Sequence, residues 1–377
     1  MQKILLINIL LFNSLLPCKE VESDLSIESF LVHTKDLLHD TPMEFGFLRT
    51  RFQFLWEPEL EREFHLELHQ ESIIGKEFLK TIEFQSLRAS QKDLPFEVEL
   101  ASSLESSAFH NLRVFRAFYQ NSGLDQTFTV GLQRIALGVG RIWNPLDLLH
   151  PRDPGSLQPT LQNPVMALHW ENYPSALSKF QSFSTFGTNW KSTIQGIHYQ
   201  WFEHGWDQGI TLLRTSNSRV LGFQVEGNLG NTGLEARFEG GIFEESILNQ
   251  REFQAVAGVD YGFPNAASIA LEFFFNQVGS HNLPQNTTSL SLGRQLPYQG
   301  EQYLGILGTY PLTPIQNLSG VLISNLSDGS HLFSLGWSHR RDEFSEWGIG
   351  FQLARGSNGS EFGLRTDTLY LQFNRFF

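Results

Sequence analysis

Apolar and polar residues alternate along most of the chain. In the segment 48–57, Phe52 and Phe54 share one face of an extended strand, and Arg49 and Arg51 share the other. Comparable segments of about ten residues follow one another, separated by short runs rich in Gly, Asn, Pro, Ser and Asp. Candidate strands lie near 45–56, 60–70, 79–86 or 95–101, 110–120, 126–138, 164–172, 177–186, 192–203, 206–215, 218–228, 233–243, 251–262, 266–276, 301–310, 315–326, 330–340, 345–355 and 367–377.

This period-two pattern predicts an all-β fold, a transmembrane antiparallel β-barrel of about 16–18 strands over 45–377. The apolar rows are rich in Phe, Trp and Tyr, as membrane interfaces require, and the opposite rows mix Arg with Glu, as a wet lumen allows. A soluble β-sandwich also alternates, but it needs a second apolar face, which these rows do not supply. Longer loops are expected near 144–163, 277–300 and 356–366.

The first residues have the pattern of a targeting segment. Lys3 precedes an apolar run over 4–16, which is too short to span a membrane and fits the core of a signal peptide over 1–18. Cys18 follows Pro17 in a stretch that resembles a lipobox, although lipoboxes carry a small residue before the Cys. Lipidation of Cys18, cleavage without lipidation and a buried N-terminal helix are therefore kept as alternatives.

A helical pattern separates this segment from the expected barrel. Over 23–39 the apolar residues fall near one helical face, and Ser23, Asp24 or Ser26 fits an N-cap. We expect residues 19–44 to form a periplasmic segment whose short helix rests on the barrel mouth or enters the lumen. The apolar face of this helix would consist of Ile27, Phe30, Leu31, Leu37 and Leu38.

Composition and charge narrow the functional classes. Phe (33) and Gly (32) are abundant, Cys (1) is scarce, and the formal net charge is -13. An acidic chain lacks the basic face that nucleic-acid phosphates need, so nucleic acid is not an expected partner. Beyond the N-terminal run no apolar stretch reaches the roughly 18 residues of a spanning helix, so a membrane location requires a closed barrel. Because no P-loop, dinucleotide fingerprint or paired-cysteine motif occurs, no cofactor is expected.

The final strand resembles the terminal strand of bacterial outer-membrane β-barrels. Leu369, Leu371, Phe373 and Phe377 share one face, and the last residue is aromatic. Arg375 departs from the pattern, although an Arg near the membrane edge can extend its charge to the interface. The resemblance implies a location in the bacterial outer membrane. It also implies two partners, the membrane lipid and the barrel-assembly machinery, which reads this strand.

The stretch 131–154, which starts within the candidate strand 126–138, carries a second resemblance. It is similar to a segment found in a group of uncharacterised porin-like barrels. The step from Asn144 to Pro145 is expected to open an ordered loop there. The sequence reads Gly131-Leu132-Gln133-Arg134-Ile135, then Gly138-Val139-Gly140-Arg141-Ile142-Trp143-Asn144-Pro145-Leu146-Asp147, then His150-Pro151-Arg152-Asp153-Pro154.

The expected loop has two interpretations. It either folds into the lumen as a constriction or forms a packed turn at the barrel rim. An ion pair between Asp147 and either Arg152 or Arg141 would fix it in both cases. The candidates for a constriction are Arg141, Trp143, Asn144, Asp147 and Arg152.

Charged residues on the inward rows are candidates for solute selection. Arginines that face carboxylates across a lumen create a transverse field, which screens solutes by charge. A solvated or self-paired interior is the alternative. A metal site in the stretch 65–69 is disfavoured because alternate strand residues lie about 7 Å apart. The lumen candidates are Arg49, Arg51, His65, Glu67, His69, Glu226, Glu235, Arg237, Glu239, Asp260 and Arg340.

These patterns favour a porin-like channel for passive diffusion of small hydrophilic solutes, since a barrel of about 16–18 strands leaves an aqueous lumen. One alternative is a structural or surface-interaction barrel closed by its loops or its N-terminal helix. Another is a transport barrel for a polymer or a lipid. Enzymatic activity is not expected. The stretch 355–359 is similar to a motif of outer-membrane phospholipases, but Arg355 stands where their general base is a His.

Overall fold

Strands make up nearly all of the regular structure. The computed structural model describes residues 21–35, 41–82, 84–85, 99–150, 152, 156–157, 163–187, 193–216, 218–245, 250–279 and 300–377. Within these ranges no helix is both long enough and apolar enough to cross a membrane. A short 3-10 turn spans Phe78–Lys80. The strands are β1 (Val21–Lys35), β2 (Pro42–Glu59), β3 (Arg62–Ile74), β4 (Glu99–Leu104), β5 (Ala108–Ser122), β6 (Gln126–Gln133), β7 (Val165–Ser175), β8 (Ser178–Thr185), β9 (Gln195–Glu203), β10 (Trp206–Arg214), β11 (Ser218–Asn228), β12 (Leu234–Glu245), β13 (Gln250–Gly262), β14 (Ser268–Asn276), β15 (Gln302–Thr313), β16 (Gln316–Asn325), β17 (Ser330–Asp342), β18 (Ser345–Arg355) and β19 (Thr368–Phe376).

The strands close into a barrel. Each pairs with its neighbours in antiparallel register, and β1 pairs with β2 on one edge and with β19 on the other, which closes the ring. β4 is the exception. One edge of β5 pairs with β3, and the other pairs with β4 over 109–113 and with β6 over 117–122. The ring therefore contains eighteen of the nineteen strands, and the predicted barrel of about 16–18 strands is confirmed.

The two ends of the barrel differ. Turns at one end are short, as at 204–205 and 343–344, whereas the other end carries long connections such as 134–164 and 277–301. Outer-membrane barrels have short periplasmic turns and longer extracellular loops, so we assign the long-loop end to the cell exterior. The last strand, β19, ends on the periplasmic side.

Side chains of opposite polarity occupy the two faces of the wall. Leu31, Ile349 and Leu371 lie in one row across three paired strands, face outward, and are about half exposed. His69 and Glu272 face inward and are fully buried. An exposed apolar surface of this extent is solvated by lipid tails and not by water. The predicted alternation between a lipid face and a polar lumen face is confirmed.

The N-terminal segment is a strand of the wall. The helix expected over 23–39 is wrong, because β1 occupies most of that range and the barrel begins well before its predicted start. Phe30 and Val32 are buried inside while Leu31 points outward, which is the period-two pattern of a strand. Pairing with β2 and β19 satisfies backbone groups on two edges that a helix would leave open.

Several expectations about the connections have mixed outcomes. The signal peptide over 1–18, with Cys18, lies outside the described residues, as does most of the loop expected at 277–300. The candidate strand at 79–86 is wrong, since a 3-10 turn begins just before it, whereas the alternative at 95–101 overlaps β4. The loop between β18 and β19 lies where it was predicted.

Candidate functional site

A loop leaves the barrel wall and folds inside. β6 ends at Gln133, short of its predicted end, and residues 134–150 continue without strand structure. Gly131 and Gly138 allow this departure, because their φ angles of 128° and 76° are strained for other residues. Backbone N–H groups of the loop donate to carboxylates in the middle of β12 and β14. The loop therefore lies in the lumen and not at the barrel rim.

Glu239, in the middle of β12, binds the loop backbone at both ends of one turn. Its Oε2 accepts hydrogen bonds from the N–H groups of Val139 (2.7 Å) and Gly140 (3.1 Å), and its Oε1 accepts one from Leu146 (2.8 Å). The side chain is fully buried. A Cβ at Gly138 would overlap this carboxylate, so the close approach requires glycine. These charge-assisted bonds satisfy amides that have left the wall.

Glu272, in the middle of β14, binds the next three residues of the loop. Its two oxygens accept hydrogen bonds from the N–H groups of Arg141 (2.5 Å), Ile142 (2.7 Å) and Trp143 (3.2 Å). Successive amides that converge on one anion form the arrangement known as a nest. The loop is thus wrapped around two carboxylates that project from the wall.

Apolar side chains fix the loop against the same strands. Trp143 stacks on Phe274 with ring centroids 5.6 Å apart and contacts Tyr303 at 5.9 Å. It is 3% exposed, so this constriction candidate is an anchor and does not line the lumen. A second contact packs loop residues on the inner face of β10–β12, and its loop members are Ile135, Leu137, Leu146 and Leu149. Each such burial stabilises the loop by about 1.5–3 kcal/mol.

Polar contacts within the loop differ from the expected ion pair. Among the described residues, no salt bridge joins Asp147 to Arg152 or Arg141; Asp147 Oδ1 instead accepts the N–H of His150 at 2.9 Å. Arg152 Nη1 donates to the carbonyl oxygens of Gly140 (2.9 Å) and Arg141 (2.8 Å). Burial raises the pKa of Asp147 to about 7, and the charge of a neighbouring carboxylate adds to the rise. A buried carboxyl close to neutrality needs no cationic partner.

His150 closes the base of the loop in its neutral form. Its Nε2 accepts the N–H of Ile135 at 3.1 Å, and its Nδ1 donates to the carbonyl oxygen of Asn163 at 2.6 Å. Burial lowers the pKa of His150 to about 4. A proton on Nε2 would oppose the N–H of Ile135, so the geometry and the lowered pKa agree. Nearby, Asn144 Nδ2 donates to the carbonyl of Leu137 at 2.6 Å.

Arg141 is a loop residue whose charged group reaches the lumen. Its guanidinium lies 2.8 Å from Glu226, 3.2 Å from Asp260 and 3.6 Å from Glu235, on β11, β13 and β12. Its side chain remains 43% exposed. The sequence placed these four residues among separate candidates for the loop and for the lumen. The structure brings them together as one charged cluster.

Arg237 lies beneath this cluster and is fully enclosed. It forms an ion pair with Asp260, and its guanidinium also lies 3.4 Å from Glu272 and 3.6 Å from Glu226. It shares Glu226 and Asp260 with Arg141, while Glu272 connects it to the loop backbone. Arg141 of the loop and Arg237 of the wall thus share four carboxylates on the inner face of β11–β14, and we call this cluster the acidic wall. Its members are Arg141, Glu226, Glu235, Arg237, Asp260 and Glu272.

A second cluster lies on β1, β2, β3 and β5. Arg49 is 2.8 Å from Glu71 and 3.0 Å from Glu28, and Arg113 is 3.1 Å from the same Glu71. These arginines and Glu71 are buried. Removal of Glu71 would take from Arg113 the carboxylate that it contacts, in a region of low polarity.

Glu67 is the centre of the same cluster. His69 contacts it at 2.7 Å, Arg51 at 3.2 Å and Arg116 at 3.7 Å. The ring of His69 stacks on Phe115 with centroids 4.0 Å apart. The side chains of Arg51 and Arg116 are about one-third exposed, unlike Glu67. We call this surface the basic wall, and its members are Glu28, Arg49, Arg51, Glu67, His69, Glu71, Arg113 and Arg116.

Comparisons with known proteins find relatives by fold but not by sequence. No family model and no curated protein matches the sequence. Solved structures do match the architecture. Pseudomonas aeruginosa OpdK with vanillate superposes with a TM-score of 0.60 at 9% identity, covering 96% of this chain and 99% of that chain. Acinetobacter baumannii OccAB4 gives 0.60 at 8% identity, with coverage of 96% and 99%. P. aeruginosa OccK2 (OpdF) in complex with glucuronate gives 0.58 at 9%, with coverage of 95% and 98%. The fold is that of an outer-membrane porin.

The two walls lie on opposite sides of this porin fold. Nine strand steps separate β3 from β13 in the eighteen-stranded ring, which is half its circumference. Charges were expected to face one another as arginines against carboxylates, but Arg237 lies among the carboxylates and Glu67 among the arginines. Each wall is thus partly paired within itself, and each retains a surplus of its own sign.

The remaining lumen candidates lie outside the two charged walls of the porin barrel or at their edge. Glu239 is occupied by the loop backbone and does not line the lumen. His65 lies at the edge of the basic wall, 3.8 Å from Glu67. Arg340 lies on an inward row of β17 at the short-turn end and is exposed, three strands around the ring from β1 of the basic wall and three from β14 of the acidic wall.

Sequence reasoning missed several charged residues of the walls. Glu272 lies between the outward-facing Leu271 and Phe273, so alternation alone marks it as inward-facing. Glu71 continues the inward row that contains His69, and Arg113 faces inward from the next strand of the ring. The alternation of the sequence predicts that each of these residues faces inward. It does not predict their contact partners, which lie on distant strands.

Proposed function

We propose that this protein is an outer-membrane channel through which small hydrophilic solutes diffuse passively, without a cofactor and without catalysis. The observation that supports it is the lumen loop that carries Arg141 and is held against the acidic wall. A constriction selects solutes when its position is fixed and its charges remain accessible. The two carboxylates that bind the loop backbone provide the first condition. The exposed guanidinium of Arg141 provides the second.

We further propose that the preferred solutes are small organic anions that carry a carboxylate. Arg51, Arg116 and Arg141 are each about one-third exposed or more, whereas Glu67 and Glu71 of the basic wall are buried. Solutes in transit meet the exposed charges more strongly than the buried ones. Two structural neighbours are OpdK with vanillate and OccK2 in complex with glucuronate, and both of these ligands are small carboxylates. Guanidinium groups bind carboxylates in a bidentate geometry.

Liposome swelling tests this proposal directly. Proteoliposomes would be diluted into isotonic glucuronate, glucose or glucosamine, three solutes of similar size and different charge. We expect glucuronate to enter fastest and glucosamine slowest. Equal rates for all three would contradict the anion preference. Absence of swelling with every solute, from a barrel shown to be folded by heat-modifiable gel mobility, would contradict the channel itself.

One observation favours a second function. The loop 134–150 occupies lumen space and is fixed by buried contacts, so a barrel closed by this loop would serve as a structural or surface-interaction protein. Closure by the N-terminal segment, which the sequence also suggested, has no support because that segment is β1 of the wall. Absence of liposome swelling with every solute would favour this second function.

A further inference from the structure

The outer surface of the barrel carries a groove of about 850 Å³ near its long-loop end. The groove crosses the outer face of β7–β13, which is the opposite face of the wall from the lumen and its charged clusters. Most of its side chains point toward the membrane. Its outward-facing lining includes Leu168, Trp170, Ser182, Ser184, Ile197, Leu212, Arg214, Arg219, Leu221, Ile242, Glu244 and Arg251.

Small residues form the floor of this groove. Ser182 and Ser184 lie on β8, directly opposite Trp170 and Leu168 of β7, and Ser182 also faces Ile197 of β9. The two hydroxymethyl groups are flanked by Leu168 and Trp170 of β7 and, at Ser182, by Ile197 of β9, while Gln195 of β9 faces Ser184. The depression above β8 lies between β7 and β9, whose axes are two strand spacings or about 10 Å apart. A single acyl chain fits such a depression.

Two arginines lie directly opposite each other above the apolar part. Arg214 ends β10 and pairs in register with Arg219 of β11, so their Cα atoms are about 4.5–5.5 Å apart. Like charges in directly opposite positions destabilise a strand pair. Both side chains are exposed, and among the described residues neither lies within salt-bridge distance of a carboxylate.

The neighbouring carboxylate is already engaged. Glu244 of β12 stands opposite Arg219, but its Oε1 accepts hydrogen bonds from Nη2 (3.2 Å) and Nε (3.3 Å) of Arg251 on β13. The row thus contains three guanidiniums and one carboxylate. Within the described part of the chain, no carboxylate is within salt-bridge distance of Arg214 or Arg219, so their two positive charges are available to a ligand.

The charges lie where a lipid headgroup would be. Arg214 and Arg219 stand two residues along their strands from the outward-facing Leu212 and Leu221, a distance of about 7 Å. They therefore mark the upper border of the apolar belt on the extracellular side, at the level of the outer-leaflet headgroups. The apolar groove extends from them toward the middle of the membrane.

We propose that this surface binds a phosphate-bearing lipid of the outer leaflet, with phosphate on Arg214 and Arg219 and one acyl chain over Ser182 and Ser184. Phosphate accepts bidentate hydrogen bonds from guanidinium, and one phosphate between the two arginines removes their mutual repulsion. Charge and apolar shape thus act on the same molecule. The site is independent of solute passage, because it lies on the opposite face of the wall.

Native mass spectrometry of the detergent-solubilised protein tests the site. The probes are lipid A, which carries two phosphates, and the same lipid with its phosphates removed. We expect the double variant Arg214→Gln/Arg219→Gln to bind lipid A at least about tenfold more weakly, since each basic residue near a membrane surface contributes about 1 kcal/mol. The dephosphorylated lipid should bind the wild-type protein with a similar loss. Ser182→Phe, which fills the floor, should also weaken binding while both arginines remain.

A matched control removes two outward-facing arginines at the periplasmic end. Arg62 and Arg375 are paired with Glu59 and Asp342, so Arg62→Gln/Arg375→Gln changes the net charge equally. This control should bind lipid A like the wild type. An undiminished affinity of the double variant, or an equal loss in the control, would overturn the proposal. The proposal would also be overturned if the wild-type protein formed an oligomer without lipid and the double variant did not. In that case a second copy of the chain would occupy the groove.

Discussion

At the scale of single residues, two buried carboxylates determine where the constriction lies. Glu239 and Glu272 each accept three N–H groups from the loop, and both come from the middle of wall strands. A buried donor that loses its partner costs about 1–3 kcal/mol. The loop position is therefore sensitive to changes at residues about a hundred positions away in the sequence.

Glu272→Gln should loosen the loop without unfolding the barrel. The Gln amide keeps one acceptor oxygen, but its NH2 group would face loop N–H groups that donate to the carboxylate in the wild type. The substitution also removes a negative charge beside Arg237. We expect larger and noisier single-channel currents than in the wild type. Glu44→Gln, at the exposed pair with His33, is the control and should leave the current unchanged. If the currents of Glu272→Gln were as low in noise as those of the wild type, the role given to this carboxylate would be contradicted.

The loop should also respond to pH in two opposed ways. The pKa of Asp147 is raised from 3.8 to about 7, so the folded loop retains a proton and becomes less stable as the pH rises from about 4 to 7. The pKa of His150 is lowered from 6.5 to about 4, so the loop becomes less stable as the pH falls from 6.5 to 4. Because the two effects oppose each other between pH 4 and 6.5, removal of either group should change the pH dependence of the current noise relative to the wild type.

Two variants separate the opposed effects. Asp147→Asn keeps an oxygen for the N–H of His150 but removes the titration, so noise should fall as the pH rises from 4 to 6.5. His150→Gln leaves only Asp147, so noise should rise from pH 4 to 7. The measurement is the fraction of time spent in subconductance states at each pH. The same slope in both variants would show that neither group sets the stability of the loop.

At the scale of elements, the loop exists because β6 stops early. β6 is eight residues long, and β4 pairs with the part of β5 that β6 leaves uncovered. The wall is thereby continued while the chain after β6 turns inward. The pattern of the sequence extended this strand to residue 138, because Ile135 and Leu137 continue the alternation. Those two residues pack instead on the inner face of the wall.

Gly138 is the position where this turn is most sensitive. Its φ of 76° is unfavourable for other residues, and a Cβ would overlap Asn144 and Glu239. Gly138→Ala should destabilise the loop by more than the roughly 1 kcal/mol of a positive-φ penalty alone. The readout is the same current noise, compared at pH 6.

A matched glycine separates backbone strain from overlap. Gly205 has a φ of 85° in a short periplasmic turn, and no atom lies within 4 Å of a Cβ placed there. Gly205→Ala should therefore lower the thermal stability slightly and leave the current trace unaltered. Equal effects of the two substitutions on the current would indicate that the close approach to Glu239 is unimportant.

The first strand shows why an element is predicted or missed. Ile27, Phe30 and Leu31 have the spacing of a helical face, and Phe30–Leu31 breaks strict alternation. In the barrel β1 pairs with β19 at the other end of the chain, and Ser29 Oγ donates to the carbonyl oxygen of Phe373 across 344 residues. Local pattern cannot show such a partner. Ring closure decides the structure of this segment, since an unpaired edge in lipid is very costly.

At the scale of the whole molecule, the sequence predicts the barrel better than its interior. Alternation assigns Arg49, Glu67 and Arg237 to the lumen face, and all three face inward. It does not predict which strands lie opposite, because that depends on strand number and on the inserted β4. The segregation into an acidic and a basic wall is therefore a property of the closed ring. It gives the lumen a transverse field, which Arg141 interrupts on the acidic side.

Single-channel recording in a planar bilayer under a salt gradient tests whether the barrel is an open channel whose accessible arginines set the charge preference. The wild type should show stable conductance steps and a reversal potential of the sign expected for anions. Arg141→Gln leaves Glu226, Glu235 and Asp260 without their exposed partner, so its reversal potential should shift toward cations. A folded barrel that gives no steps, or an Arg141→Gln variant with an unchanged reversal potential, would contradict the account.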